Sequence, residues 1–311
     1  MPIETRDTLG TKRSTPTAAA ILAACAMLCC ALLPSFAATN ARSADRLVDV
    51  GTHKLQAHVE GKGTPTVVID AGLGDQLDKL RPLQQLLARV TRVVVYNRAG
   101  YGQSEPGPLP RDAGREADEL RVLLKGLRVK KPYVLVGHSL GALNVQVFAS
   151  RHPDEVAGIV LLDPPPVAFL VGQEYANLSA MAERMTAEWQ VAADSTANAP
   201  DPAARAQSAF LRMIASEHRE MFGGTAKLVS SISTFGDIPL VVMAAGKSNP
   251  AFGETAEQFQ KFWVEQSRAL AAKSTAGRFV LAEESSHYLY LDVPDLVETT
   301  ILAVVRGARG R

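Results

Sequence analysis

The segment Gly137-His138-Ser139-Leu140-Gly141 directly follows the β-branched run Val134-Leu135-Val136 and opens a helical stretch that begins near Ala142. A serine set between two glycines, with a strand before it and a helix after it, has the spacing of a nucleophile elbow. A side chain at position 137 or 141 would collide with neighbouring backbone in so sharp a turn, and Ser139 would be held strained with its hydroxyl clear of the sheet. The helix N-terminus beneath it favours the negative charge that develops during acyl transfer. The main-chain N–H of Leu140, just after the serine, is one candidate donor to that charge. The plainer use of Ser139 is as a helix cap.

A serine nucleophile needs a base, and six histidines are available. His53 and His58 sit on early strands, and His138 lies inside the elbow. His152 precedes Pro153 at a helix end, and His218 lies in a helical stretch. Only His287 falls in a loop after the last apolar run, where it could reach a nucleophile at a strand end.

The elements that position these residues show in the hydrophobic pattern. Val67-Val68-Ile69, Val93-Val94-Val95, Val134-Leu135-Val136, Ile159-Val160-Leu161-Leu162, Leu240-Val241-Val242-Met243 and Phe279-Val280-Leu281 are continuous apolar runs. Such runs suit strands buried on both faces of a parallel sheet. Leu55-Gln56-Ala57-His58-Val59 alternates in polarity and reads as a half-exposed strand near the sheet edge. Helices are expected over Pro82 to Arg89, Glu116 to Leu127, Ala142 to Arg151 and Glu254 to Ala272. The order is α/β, a mostly parallel, doubly wound sheet.

About seventy residues separate Asp163 from Pro239, more than a crossover usually needs. Tyr175, Leu178, Met181, Met185 and Trp189 recur at helical spacing, and Phe210, Leu211, Ile214, Met221 and Phe222 form a second apolar stripe. Between them, Ala197 to Pro202 reads as a loop. The expectation is a helical lid over residues 167–236 that lines an apolar pocket; a helical decoration of the sheet is the alternative.

Residues 1–37 read as a secretory signal peptide. Lys12 and Arg13 precede an uncharged run from Ala18 to Leu33, and Ser35-Phe36-Ala37 offers small residues at a cleavage site. The run is short of the roughly 20 residues that cross a bilayer comfortably. Leu22-Ala23-Ala24-Cys25 also has the form of a lipobox, which makes a lipid-anchored Cys25 the minority alternative, alongside an uncleaved anchor. Cys25, Cys29 and Cys30 all lie in this segment, so its removal leaves residues 38–311 without a thiol. It also removes Arg6, Lys12 and Arg13 against Glu4 and Asp7, which brings the remaining chain to charge balance.

In the whole chain, 33 basic residues face 32 acidic ones, and no Lys/Arg cluster exceeds two adjacent residues. Neither pattern suits a nucleic-acid partner. The balance fits an uncharged small-molecule ligand better. No H-E-x-x-H, Asp-rich cation loop or phosphate-binding G-x-x-x-x-G-K-[ST] is present, and no metal or cofactor is expected.

The elbow and four further segments resemble the α/β-hydrolase superfamily, in particular its bacterial esterase-like and lipase-like members. The segments are Asp70-Ala71-Gly72-Leu73-Gly74, Asn97-Arg98-Ala99-Gly100-Tyr101-Gly102-Gln103-Ser104, Leu162-Asp163-Pro164, and Ser285-Ser286-His287 with Leu291-Asp292-Val293-Pro294 beyond it. The resemblance spans Leu47 to Val305. It implies that the second oxyanion donor is the N–H of Leu73 and that the triad follows the order Ser…Asp/Glu…His. The family's more usual acid position falls on Asn249, which carries no charge. Its second placement falls on Asp163, and Glu254 is a weaker third candidate. Two other positions depart from the family pattern: Asn97 stands where Asp is usual, and Ser286 where Gly is usual.

The implied activity is hydrolysis of carboxylic esters, with Ser139 as nucleophile, His287 as base and Asp163 as acid. A Ser at the elbow, where epoxide hydrolases and haloalkane dehalogenases use Asp, argues against both. A C–C bond hydrolase, an amidase or peptidase, and a cofactor-free perhydrolase remain open on the same residues. A catalytically dead binding module is the alternative of another class.

Overall fold

The computed structural model describes residues 45–172 and 176–310. Residues 1–37, read above as a signal peptide, lie outside the described residues with all three cysteines, as do Tyr175 and the side chain of Leu178.

Eight strands form one sheet in the order β1-β2-β4-β3-β5-β6-β7-β8. They are β1 (Arg46–Asp49), β2 (Lys54–Glu60), β3 (Thr66–Asp70), β4 (Val93–Tyr96), β5 (Tyr133–His138), β6 (Val156–Leu162), β7 (Leu240–Ala245) and β8 (Gly277–Ala282). The pairings of β1 with β2 and of β2 with β4 are antiparallel, and the rest are parallel. Register pairs Asp70 with Gly137, His138 with Leu162, Leu162 with Met243 and Ala245 with Ala282. The carboxyl ends of five parallel strands therefore line up along one edge, the place where open α/β sheets bind ligands.

Both sheet faces are covered, which is why the parallel strands read as unbroken apolar runs. On one face Val68, Leu135, Leu161 and Val242 pack against helices α2 (Ala113–Gly126), α3 (Leu140–Arg151) and α8 (Ala256–Ala271). On the other, Val67, Ile69, Val136 and Val160 pack against α1 (Leu77–Ala88) and α9 (Pro294–Arg309). Each such side chain, fully buried, stabilises the fold by about 1.5–3 kcal/mol.

Two local expectations are corrected. Strand β2 is not half-exposed: β1 covers its outer edge, and Gln56 and His58 are buried. Their polarity is satisfied internally, with His58 Nδ1 hydrogen-bonded to Gln84 Oε1 (2.9 Å) and Gln56 Oε1 accepting from Asn97 Nδ2 (2.7 Å). Helix α1 starts five residues before Pro82 and carries that proline internally. Its first N–H, on Leu77, is satisfied by Asn97 Oδ1 at 2.7 Å, a tertiary cap that local sequence does not reveal.

Four helices fill the long interval between β6 and β7: α4 (Val167–Val171), α5 (Ala176–Thr196), α6 (Pro202–Met221) and α7 (Gly224–Ser230). Asp201 caps α6 by accepting from Ala203 N–H. Helices α5 and α6 are tied by Thr186, whose hydroxyl donates to Ala182 O (2.9 Å) and accepts the His218 Nδ1 proton (2.7 Å).

Candidate functional site

Ser139 is the hinge between β5 and α3, at φ 51° and ψ −119°, a conformation natural to glycine and strained for serine. Such a residue costs on the order of 1–3 kcal/mol and persists only where its surroundings impose it. Here its N–H donates to Leu162 O (3.0 Å) and its carbonyl accepts from Ala142 N–H (3.0 Å). A Cβ at Gly137 would stand 2.5 Å from Ala142 Cα, and one at Gly141 would stand 2.4 Å from Asp70 O. Both glycines are thus required by close backbone approach. Ser139 is partly exposed while both its neighbours are buried. The first N–H groups of α3, Leu140 among them, lie at the positive end of that helix.

Asp163 follows β6 immediately and also takes a positive φ, 47°. Its N–H donates to Met243 O (2.8 Å), and its Oδ1 accepts from Ala245 N–H (2.9 Å), so strand β7 fixes the carboxylate. The other oxygen, Oδ2, lies 2.7 Å from His287 Nδ1. A carboxylate accepts only, so Nδ1 is the donor, and in the neutral ring Nε2 is then the nitrogen with the lone pair.

The loop that carries His287 is held at two points. Ser286 donates from its N–H (2.7 Å) and its hydroxyl (2.6 Å) to Asp292 Oδ2. These bonds hold the Asp292 carboxyl below its usual range, against slight burial. The hydroxyl bond is an added anchor that glycine, with its N–H alone, could not supply. His138 Nε2 donates to His287 O (2.9 Å), and the two rings lie 4.7 Å apart. Burial first, then the neighbouring His287, keeps His138 well below the ordinary histidine range and hence neutral. The Trp263 ring meets His287 edge-on at 6.2 Å.

The loop after β3 runs through Ala71, Gly72, Leu73 and Gly74, with Leu73 half-buried. Arg98, just beyond β4, holds it from behind: Nη1 donates to Asp70 Oδ1 and Ala71 O, both at 2.7 Å, and Nη2 to Gly72 O at 3.0 Å. Tyr96 Oη (2.8 Å) and Asn144 Nδ2 (3.1 Å) donate to Asp70 Oδ2. Burial raises the Asp70 carboxyl, with Arg98 opposing. Burial likewise disfavours the Arg98 charge, but Glu217, Tyr101 and Asp70 outweigh it and keep the guanidinium firmly protonated.

The structure thus brings His287 onto Asp163, not onto Asn249 or Glu254. Asn249 sits in the turn after β7, where its carbonyl accepts from Phe252 N–H, and Glu254 is exposed on the following 3-10 turn. Sequence reasoning missed the buried set Asp70, Arg98, Tyr101 and Glu217. Asp70, Arg98 and Tyr101 stood within recognised segments, whereas nothing local marks Glu217. Among the described residues no cluster of His, Cys, Asp or Glu is arranged to hold a metal ion.

Comparison with known proteins agrees with this architecture. The chain is 26% identical over 247 residues to the uncharacterized protein YqjL of Bacillus subtilis, covering 79% of this chain and 86% of that protein. A thermophilic esterase from Thermogutta terrifontis superposes with a TM-score of 0.62 at 20% identity, over 86% of this chain and 99% of its own. The enol-lactonase from Burkholderia xenovorans superposes with a TM-score of 0.58 at 19% identity, over 85% and 100%. Residues 65–272 match the model of the alpha/beta hydrolase fold, from β3 through the elbow and the inserted helices to the end of α8. With two thirds of its length matching that model and its sheet in that order, the chain belongs to the α/β-hydrolase family.

Proposed function

We propose that this hydrolase is a serine hydrolase that cleaves carboxylic esters through an acyl-enzyme on Ser139. The observation that carries the reading is the 2.7 Å bond from His287 Nδ1 to an Asp163 carboxylate that Ala245 N–H holds in place. It leaves Nε2 able to take a proton, and Ser139 stands on the elbow beside His138, the residue that grips His287 O. Ser139 Oγ attacks the acyl carbon as its proton passes to His287 Nε2. The ester C–O bond then breaks and the alcohol leaves with that proton. Water repeats the sequence and releases the acid. Asp163 stays ionised, holding the tautomer and stabilising the imidazolium. The N–H groups of Leu140 and Leu73 receive the oxyanion, and loss of one such donor typically costs about 10²–10³ in rate.

Helices α4 to α7 form a lid in this reading, and the substrate is a small molecule with an apolar part. Phe169 of α4 packs against Phe222 (5.6 Å) and Phe259 (5.2 Å), an aromatic cluster that connects the inserted helices to α8. The test is labelling by a fluorophosphonate together with turnover of p-nitrophenyl esters of graded chain length. Labelling abolished by Ser139→Ala, with ester turnover, supports the reading; an unlabelled wild type sinks it. Labelling without ester turnover points to C–C, amide or perhydrolase chemistry.

Residues 1–37 are proposed to direct export. Protein recovered from the envelope or medium of its host is expected to begin near Ala38. An intact Met1 would instead favour an anchor, and a lipid on Cys25 a lipoprotein.

A further inference from the structure

Every donor of Arg98 is engaged in a site where the side chain is 2% exposed. Besides Asp70, Ala71 and Gly72, it bonds Glu217 of α6 twice, Nε to Oε1 at 2.8 Å and Nη2 to Oε2 at 3.1 Å. Tyr101 completes the ring: its hydroxyl donates to Glu217 Oε2 (2.5 Å) and accepts from Gly74 N–H (3.2 Å). Both side chains of the Arg98–Glu217 pair are almost fully buried. The inserted helices thus reach, through one carboxylate, the loop that carries Leu73.

The geometry of the peptide bond gives this contact a direction. In a trans peptide the C=O and the following N–H lie in one plane and point in opposite directions. The carbonyl of Gly72 points at Arg98, so the N–H of Leu73 points away from it. The carbonyl of Ala71 does the same for the N–H of Gly72. The guanidinium therefore sets the orientation of two successive peptides, and its own orientation is set by the two carboxylates that flank it. Asp70 takes only Nη1. Without Glu217, Nε and part of Nη2 lose their partners, Tyr101 loses its acceptor, and the fork is free to turn.

We propose that Glu217 is a positioning residue: through Arg98 and Tyr101 it fixes the 72–73 peptide, and so couples the inserted helices to the oxyanion donor at Leu73. The proposal rests on the serine-hydrolase reading above. Its effect belongs in the transition state, because the donor meets its full charge only there. A cap that merely closes over substrate would instead change ground-state binding.

The test uses the full chain with Glu217→Gln, which keeps shape and one acceptor but removes the charge, and Tyr101→Phe, which removes the shared hydroxyl. Ser216→Ala is the control. It breaks the neighbouring tie of α6 to the body, from Arg111 N–H to Ser216 Oγ (3.0 Å), which does not touch the loop. For an activated ester, Glu217→Gln is expected to lower kcat by about 10–100-fold, a fraction of a full donor loss, with KM changed by less than about 3-fold. Affinity for a boronic acid, whose tetrahedral adduct is anionic, should fall by the same factor, and Ser216→Ala should leave both near wild type. If Glu217→Gln does not fold, Tyr101→Phe gives the same readout. The proposal is overturned if the folded variants keep wild-type kcat and boronate affinity, or lose no more than Ser216→Ala does. Failure of the wild type to react with a fluorophosphonate would overturn the serine-hydrolase reading and this proposal with it.

Discussion

Asp163 and His287 lie 124 residues apart in the chain, yet Oδ2 of one and Nδ1 of the other are 2.7 Å apart. Asp163 approaches from the strand before the inserted helices, and the position after β7 holds an uncharged Asn249. Asp163→Asn is expected to lower kcat by on the order of 10⁴, because an amide can donate to Nδ1 and so stabilise the wrong tautomer. Asn249→Ala should cost far less. Steady-state kinetics on an activated ester decides it: near-normal activity of Asp163→Asn would remove Asp163 from the mechanism.

Ser139 sits at φ 51°, ψ −119°, where a side chain is strained. Ser139→Gly is expected to abolish turnover while raising stability by about 1 kcal/mol, as glycine takes this conformation freely. In a domain of this size that is a rise in Tm of about 2 °C. A fall in Tm would show that the serine is held by contacts stronger than the strain.

Burial lowers the pKa of His218 from 6.5 to about 4. The folded-state value is the depressed one, so the unfolded chain takes the proton first as pH falls. Stability is therefore full above pH 6.5 and declines down to about pH 4, by about 3 kcal/mol over the window. His138, also lowered by burial, acts in the same direction. Urea unfolding at pH 7 and pH 4.5 measures the slope, and His218→Gln should flatten it. An unchanged slope in that variant would acquit His218.

Asn97 stands where the family pattern usually has Asp, and its two ends do different work. Oδ1 accepts from Leu77 N–H and Nδ2 donates to Gln56 Oε1. Gln56 cannot turn to compensate, because Oε1 also accepts from Gln103 N–H and Nε2 donates to Asp45. Asn97→Asp should thus set two acceptors against each other in a buried place and cost about 1–3 kcal/mol. Thermal unfolding near neutral pH checks this, and a stability equal to wild type would show that the Gln56 network rearranges.

Much of the fold was legible because its signals are local. Strands covered on both faces must be apolar throughout, and the elbow needs Gly137 and Gly141 because backbone passes within 2.4–2.5 Å of where their Cβ atoms would stand. The elbow and the loop after the last strand also singled out Ser139 and His287. Other features have no local signal. Gln56 and His58 looked like the wet face of an edge strand, because alternating polarity does not distinguish water from an internal partner such as Asn97 or Gln84. Pro82 looked like a helix start, since the cap on Leu77 comes from Asn97, in the loop just beyond β4. The choice among Asp163, Asn249 and Glu254 turned on which strand end reaches His287, a matter of register across β6, β7 and β8. Arg98 and Glu217, 119 residues apart, illustrate the rest. A charge can be buried where a partner is held within hydrogen-bonding distance, and only the packing of α6 against the loop after β4 creates that distance.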